Sequence, residues 1–403
     1  MSASADVAPY PLLDEASVVP YLRRRGLLDL VGGSGEPTAR EVSDGNLNSV
    51  FLVRREADRP GLAVKQALPW VRVAGAGWPL TPHRADAEAR AYEHLVRLVP
   101  HLVPAYHGYD PETFTLVMED VGDLTVLRSA TVGGAPPGEV GTALGTFVGA
   151  LAFATSDFGM DAEERKLLVA ASVNPQLCRL TEDVVLTEPY LEHEHNAHVP
   201  AVDALVRALR ADAQVRLEVS TLKHTFTTKA EALLHGDLHS GSVMVGGGRV
   251  AVIDPEFSFV GPVGFDLGLY WANALIAALR ADGTGDAGLA REHAAQLGSS
   301  WAAFTGHVRD AWAGRVDRSY GDDYRERWLA AVWSDGLGYA AVEAVRRAAG
   351  YSHAADLETL PDVERDRATA RLLRVARALL VDRRALDTPT AVQALLEHTR
   401  EDG

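Results

Sequence analysis

The stretch His235-Gly236-Asp237-Leu238-His239-Ser240-Gly241-Ser242, followed by Asp254-Pro255-Glu256, holds the residue types best suited to chemistry. Asp237 and Asp254 stand 17 positions apart, and Gly246-Gly247-Gly248 between two short apolar runs predicts one tight hairpin in the interval. Such a hairpin returns both carboxylates to one end of a two-stranded ribbon. Phosphoryl transfer needs that pair: one carboxylate orients and deprotonates an attacking hydroxyl, and the other holds Mg²⁺ on the nucleotide phosphates. Glu256, two residues beyond Asp254 and on the same side of an extended chain, can share the metal. The competing readings are a hydrogen-bonded loop without chemistry and a zinc site on His235 and His239. Zinc needs a third ligand of suitable spacing, and the single cysteine, Cys178, lies 59 residues before Asp237.

Other residues supply what a nucleotide requires. Lys65 lies in an apolar β-type run, and Glu88 falls on the inward stripe of a helix opened by Thr81 and Pro82, in line with Tyr92, Leu95 and Val99. A carboxylate on an apolar stripe needs a cationic partner. A Lys65–Glu88 pair is the device by which kinase-type folds hold the α- and β-phosphates. Asp44-Gly45-Asn46-Leu47-Asn48 is a turn before a strand, where backbone amides can cover phosphates or the chain simply reverses. Glu119, Asp120 and Val121 end a β run where an adenine ring can lie against the main chain. Arg346 and Arg347 stand on a helical segment where solvated arginines are common, and Trp78 by itself reads as packing.

These motifs resemble one family. HGDLHSGSVMV with VIDPEFSFVGPVGFDLG is similar to the catalytic segment of 5-methylthioribose kinases, within the aminoglycoside-phosphotransferase and choline-kinase-like superfamily. Three further blocks follow in the expected order. Asp44–Phe51 resembles the nucleotide loop, Val64–Arg72 running into Gly77–Thr81 resembles the lysine strand and tryptophan loop, and Ala344–Arg347 followed by His353–Glu358 resembles the twin-arginine segment. The blocks reach from Asp44 to Glu358, whereas residues 128–229 offer no usable motif.

The resemblance implies an ATP- and Mg²⁺-dependent kinase for the C1 hydroxyl of 5-methylthioribose, acting in methionine salvage as a homodimer, and the single cysteine fits a reducing, cytoplasmic setting. It places Asp237 as base and substrate ligand, with Arg346, Arg347 and Trp78 at the sugar. Asn46, Asn48, Lys65, Glu88, Glu119, Asp120, Val121, Asp254, Pro255 and Glu256 are placed at ATP, and Asp254 and Glu256 at the metal. Adjacent helical residues point about 100° apart, so one arginine is expected at the substrate and the other on a bracing carboxylate. Another 5-deoxypentose or a sugar-containing antibiotic is the rival acceptor, and a silent nucleotide-binding module is the rival class. There is no GxGxxG loop and no Walker lysine motif. Ser242 stands where protein kinases carry a metal-binding Asn. Only 12 positions separate Asp254 from Asp266, too few for a peptide-positioning loop, so Asp266 reads as a buttress of the catalytic loop.

The elements that must position these residues follow from the pattern. Short β runs at Ser49–Val53, Ala63–Gln66 and Thr115–Glu119 flank one helix. From about Leu124 the pattern turns helical, after a flexible Thr131–Gly138 connection, and is interrupted by Leu233–Phe259. The expected architecture is α+β and protein-kinase-like: a small β-rich nucleotide lobe, residues 1–121, and a large helical catalytic and substrate lobe, residues 122–403. With 403 residues, 47% hydrophobic and 23% charged, the chain has ample core material. A net charge of −16 suits neither nucleic acid nor an anionic membrane. One cysteine excludes an internal disulfide framework. The longest apolar stretch, Val140 to Thr155, is too short and too Gly-rich to span a bilayer, and no signal peptide is read.

Overall fold

Strand alternation decides where Lys65 points. In the computed structural model, which describes residues 10–42, 47–72 and 77–401, α1 (Val18–Arg24) precedes β1 (Thr38–Val42), β2 (Asn48–Arg54), β3 (Leu62–Ala67), α2 (Arg84–Leu98), β4 (Tyr106–Asp110) and β5 (Thr115–Glu119). The five strands form one antiparallel sheet in the order β1-β2-β3-β5-β4, with Lys65 at its centre opposite Val50 and Leu116. Leu62 and Val64 pack with Phe51, Val53 and Val117 against Val18, Tyr21 and Leu22 of α1. The opposite parity carries Lys65 to the other face, toward α2. The three β runs of the sequence correspond to β2, β3 and β5. β1 and β4, Thr-Ala-Arg-Glu-Val and Tyr-His-Gly-Tyr-Asp, lie at the sheet edges, half-exposed, and have no apolar alternation to betray them.

Two expected boundaries shift. α2 begins at Arg84, three residues after Thr81, whose hydroxyl accepts from His83 N at 3.3 Å within the preceding turn. Thr131 and Val132 belong to the last turn of a helix, so only the remainder of the Thr131–Gly138 segment is a connection.

The rest of the chain is mainly helical. β6 (Thr125–Val126) leads into α3 (Leu127–Val132), α4 (Val140–Ala154), α5 (Ala162–Ala171), α6 (Pro175–Val184), α7 (Asp203–Ala211) and α8 (Ala213–Thr228). The interruption contains β7 (Ala232–Leu233), β8 (Val243–Gly246), β9 (Arg249–Val252) and β10 (Val260–Gly261). β8 and β9 form the expected hairpin, with Gly246 opposite Arg249 and both Gly247 (φ 55°) and Gly248 (φ 79°) left-handed, as its two-residue turn requires. β6 adds to this hairpin, and β7 pairs with β10. α9 (Gly264–Gly283), α10 (Ala287–Ala311), α11 (Asp322–Ala349), α12 (Ala355–Glu358), α13 (Asp362–Val381) and α14 (Pro389–Glu401) complete the fold. α9 is buried along almost its whole length, and the main apolar core runs without a break from α2 to α14. Among the described residues no helix is long and apolar enough to cross a membrane.

Candidate active site

Lys65 Nζ lies 2.7 Å from Glu88 Oε2 and 2.9 Å from Oε1, and it also pairs with Asp254 Oδ1. The helix stripe and the strand parity therefore bring together the pair expected from the sequence. Burial opposes the charge on Lys65, but Asp254, Glu88 and Glu256 outweigh it, so the ammonium is held well above its usual range. Asp254 is a non-glycine residue with φ 69°. That left-handed backbone costs about 1–3 kcal/mol, and it follows the hairpin directly, where it turns the carboxylate toward Lys65.

Glu256 is buried beside them. Its Oε2 accepts from Asn48 Nδ2 at 2.9 Å and from Arg84 Nε at 3.2 Å. Oxygens of Glu88, Asp254 and Glu256 all lie within 4.8 Å of one another. Three carboxylates share two cations, Lys65 and Arg84. Burial and the neighbouring carboxylates push Glu88 and Glu256 up from their usual values. An all-oxygen carboxylate set is the donor chemistry of Mg²⁺, so these residues fit that ion. Asn48 and Arg84 are locked together, Asn48 Oδ1 accepting from Arg84 Nη2 at 2.8 Å. The Asn48 side chain thus braces Glu256 instead of reaching outward. Asp44, Gly45, Asn46, Gly75 and Ala76 lie outside the described residues.

Asp237 sits in a loop held from three sides. Asp266 accepts from His235 N at 2.7 Å and Gly236 N at 2.9 Å, which is the buttress expected of it. Ser242 Oγ donates to Asp237 O at 2.9 Å, so it fixes the loop. His239 Nδ1 accepts from Gly241 N at 2.9 Å, which leaves the proton on Nε2, 3.4 Å from Asp237 Oδ2. Burial opposes ionisation of Asp237, but His239, Arg346 and Arg347 overcome it and hold the carboxyl far below its usual range. His235 uses its ring nitrogens on Asp237 N and Ile253 O, His239 spends Nδ1 on Gly241 N, and neither joins a metal-competent group among the described residues, which removes the zinc reading.

Arg346 and Arg347 share one carboxylate. Both pair with the fully buried Glu343 one turn earlier: Arg346 Nε at 2.8 Å from Oε2 and Nη2 at 2.8 Å from Oε1, Arg347 Nε at 2.7 Å from Oε1. Neither is a solvated side chain. Both are within electrostatic reach of Asp237, and Arg347 also donates to Ser352 O at 3.0 Å. The Trp78 ring stacks on His195 at 6.2 Å and 21°, and lies 6.5 Å from Tyr351 just beyond the arginines.

At the end of β5 the Glu119 carboxylate is gripped by Arg249 at 2.7 and 2.9 Å, and Asp120 pairs with Arg54. Both side chains of this turn, which also contains Val121, are thus engaged, and the amides of Glu119 and Asp120 donate to Ala105 O and Gly61 O. Pro255 joins Asp254 to Glu256, and its carbonyl accepts from Ser258 N at 3.0 Å.

Sequence reasoning missed Arg84, Glu343 and the positioning roles of His235 and His239. Arg84 and Glu343 were within reach of the helix rule that residues three or four apart share a face, since they precede Glu88, Arg346 and Arg347 by those spacings. The histidine roles depend on backbone turns that no spacing reveals.

Residues 38–331 match the phosphotransferase enzyme family. The methylthioribose kinase of Citrobacter koseri is 38% identical over 387 residues, covering 92% of this chain and 95% of that protein. That of Geobacillus sp. strain WCH70 is 36% identical, covering 97% and 96%. Among solved structures, a spectinomycin phosphotransferase in complex with ADP and spectinomycin aligns with a TM-score of 0.43 and 11% identity over 92% of this chain and 99% of that one, too distant to bear on substrate. On near-full-length identity to the curated kinases, this chain belongs to the methylthioribose kinase branch of the phosphotransferase enzyme family.

Proposed function

We propose that this protein transfers the γ-phosphoryl group of ATP to the C1 hydroxyl of 5-methylthioribose. The observation that carries this reading is the ionised Asp237 beside His239 and Arg346, linked through His235 to the segment bearing Asp254 and Glu256. The new bond joins the sugar oxygen to the γ-phosphorus as the bond from that phosphorus to the β,γ-bridging oxygen breaks, and the hydroxyl proton passes to Asp237. A carboxylate held so far below its usual range is a weak base. Its main work is to aim the hydroxyl, and the proton moves late, as a loose transition state permits. Lys65, kept cationic and oriented by Glu88, clamps the α- and β-phosphates. Asp254 and Glu256 would hold Mg²⁺, which would supply charge neutralisation for the nucleotide phosphates. Arg346 is the arginine we assign to the sugar and the transferring phosphoryl, and Arg347 the brace. Trp78 lies over the sugar, and adenine rests on the main chain of Glu119–Val121, with Asn46 assigned to the nucleotide. The nucleotide lobe ends at residue 121, and the protein works as a cytoplasmic homodimer.

The experiment is an ADP-release assay on 5-methylthioribose, other 5-substituted riboses and aminoglycosides, with phosphorus NMR of the product. Turnover should be fastest on 5-methylthioribose and yield the C1 phosphate. Asp237→Asn should lose about 10²–10⁴-fold in kcat while nucleotide titrations stay unchanged. Faster turnover of an aminoglycoside, or an Asp237→Asn rate above a tenth of wild type, overturns the assignment.

A further inference from the structure

The segment Glu188–Asn196 lies within the part of the chain that carries no recognised motif. It starts as a single tight turn, Glu188–Tyr190, and is closed by Asn196 Nδ2, which donates to Glu188 O at 2.7 Å and Leu191 O at 2.9 Å. Arg210 Nε anchors it from α7 by donating to Pro189 O at 3.0 Å. Within this frame Glu188 Oε2 lies 2.9 Å from His195 Nδ1 and 3.6 Å from His193 Nδ1. The two imidazoles meet edge to face, 4.5 Å between centroids. One donor atom from each of the three residues falls within a common 4.8 Å.

A four-coordinate ion with ligands at 2.0–2.1 Å keeps its ligand atoms about 3.3 Å apart, and the two carboxylate–imidazole distances bracket that value. An ordinary histidine–carboxylate hydrogen bond explains one ring but leaves the second unexplained. His193 Nδ1 accepts from His195 N at a long 3.3 Å, a weak bond that ligation of an ion would replace. Two imidazoles with one carboxylate suit zinc-class ions, in contrast to the all-oxygen set of Glu88, Asp254 and Glu256. We propose that Glu188, His193 and His195 form a binding site for a divalent transition-metal ion, with a fourth position left to water. Trp78 stacks on His195, so an ion here fixes the ring on which the tryptophan loop rests.

The test uses the full-length chain treated with chelator, titrated with Co²⁺ and then Zn²⁺ without nucleotide or Mg²⁺. One Co²⁺ per chain should give visible absorption of a four-coordinate ion, displaced by Zn²⁺. Binding should also change tryptophan emission in the wild type and not in Trp78→Phe. His193→Ala and Glu188→Gln should weaken binding about tenfold or more, whereas Asp254→Asn should bind as the wild type does. His193 is exposed, so its variant is expected to keep the metal-free melting temperature, which serves as the control for folding. Absence of stoichiometric Co²⁺ binding, equal affinity in His193→Ala, or loss of binding in Asp254→Asn would each overturn the site.

Discussion

The imidazole of His235 joins the two catalytic segments, with Nε2–H donating to Ile253 O at 2.9 Å and Nδ1 accepting from Asp237 N at 3.2 Å. The second bond requires the neutral ring, because only an unprotonated Nδ1 can accept. Burial keeps it neutral by lowering the pKa to about 4, although the bond to Ile253 and the nearby Asp237 and Asp254 act the other way. The unfolded chain, at about 6.5, takes up a proton first as pH falls. The stabilising contribution of His235 is therefore complete above pH 6.5 and is lost as pH falls through 4, a loss of about 3 kcal/mol. Chemical denaturation of wild type and His235→Gln across pH 4–7 should show a stability difference that shrinks toward pH 4. A difference that stays constant would mean that the ring does not titrate in this window. None of this is legible from HGDLH alone. The motif declares Asp237, whereas the histidine's task depends on a carbonyl 18 residues away.

At the scale of elements, the glycines of the Val140–Thr155 apolar run, a stretch too short to span a membrane, form a packing seam. Gly141, Gly145 and Gly149 of α4 lie against Gln296, Ser300, Phe304 and His307 of α10, and a Cβ on Gly145 would stand 2.1 Å from Ser300 O. Gly145→Ala should destabilise the protein by about 2 kcal/mol or more by forcing the helices apart. Gly306→Ala on the same α10, where a Cβ meets nothing within 4 Å, should be neutral or stabilising by up to about 1 kcal/mol. Equal melting temperatures for the two variants would refute the seam.

α11 carries a second lesson. Arg346 and Arg347 leave the helix about 100° apart, yet their long side chains converge on Glu343, whose carboxyl they hold down at about 2 against the opposing effect of burial. Glu343→Gln leaves two guanidinium groups without their carboxylate and should cost about 3–5 kcal/mol. Arg346→Lys should alter kcat and KM for the sugar, and Arg347→Lys chiefly the unfolding midpoint. Kinetic effects that are larger for Arg347 would reverse the two roles.

Across the whole molecule, the strand runs, the first helix and the catalytic hairpin were legible because each is a local pattern with one apolar face. What joins them was not, because it is made of contacts between residues far apart in sequence. Arg84 is the clearest case. Its guanidinium, almost fully buried, donates to Glu256, to Asn48 Oδ1 and to the carbonyls of Leu47, Leu68 and Thr81. It thereby fastens α2 and the start of β2 to the segment after the catalytic hairpin. Arg84→Met keeps most of the side-chain volume but leaves Glu256 buried without this cation. That should cost about 3–5 kcal/mol and raise KM for ATP, because the carboxylate assigned to the metal loses its orientation. The double variant Arg84→Met/Glu256→Gln removes the stranded charge as well, so its stability should exceed the sum of the single effects by at least about 1 kcal/mol. Its kcat should stay low, since neither side chain then supports the metal. Strictly additive unfolding free energies in this cycle would mean that Arg84 and Glu256 act independently, and that the two halves of the site are aligned by core packing alone.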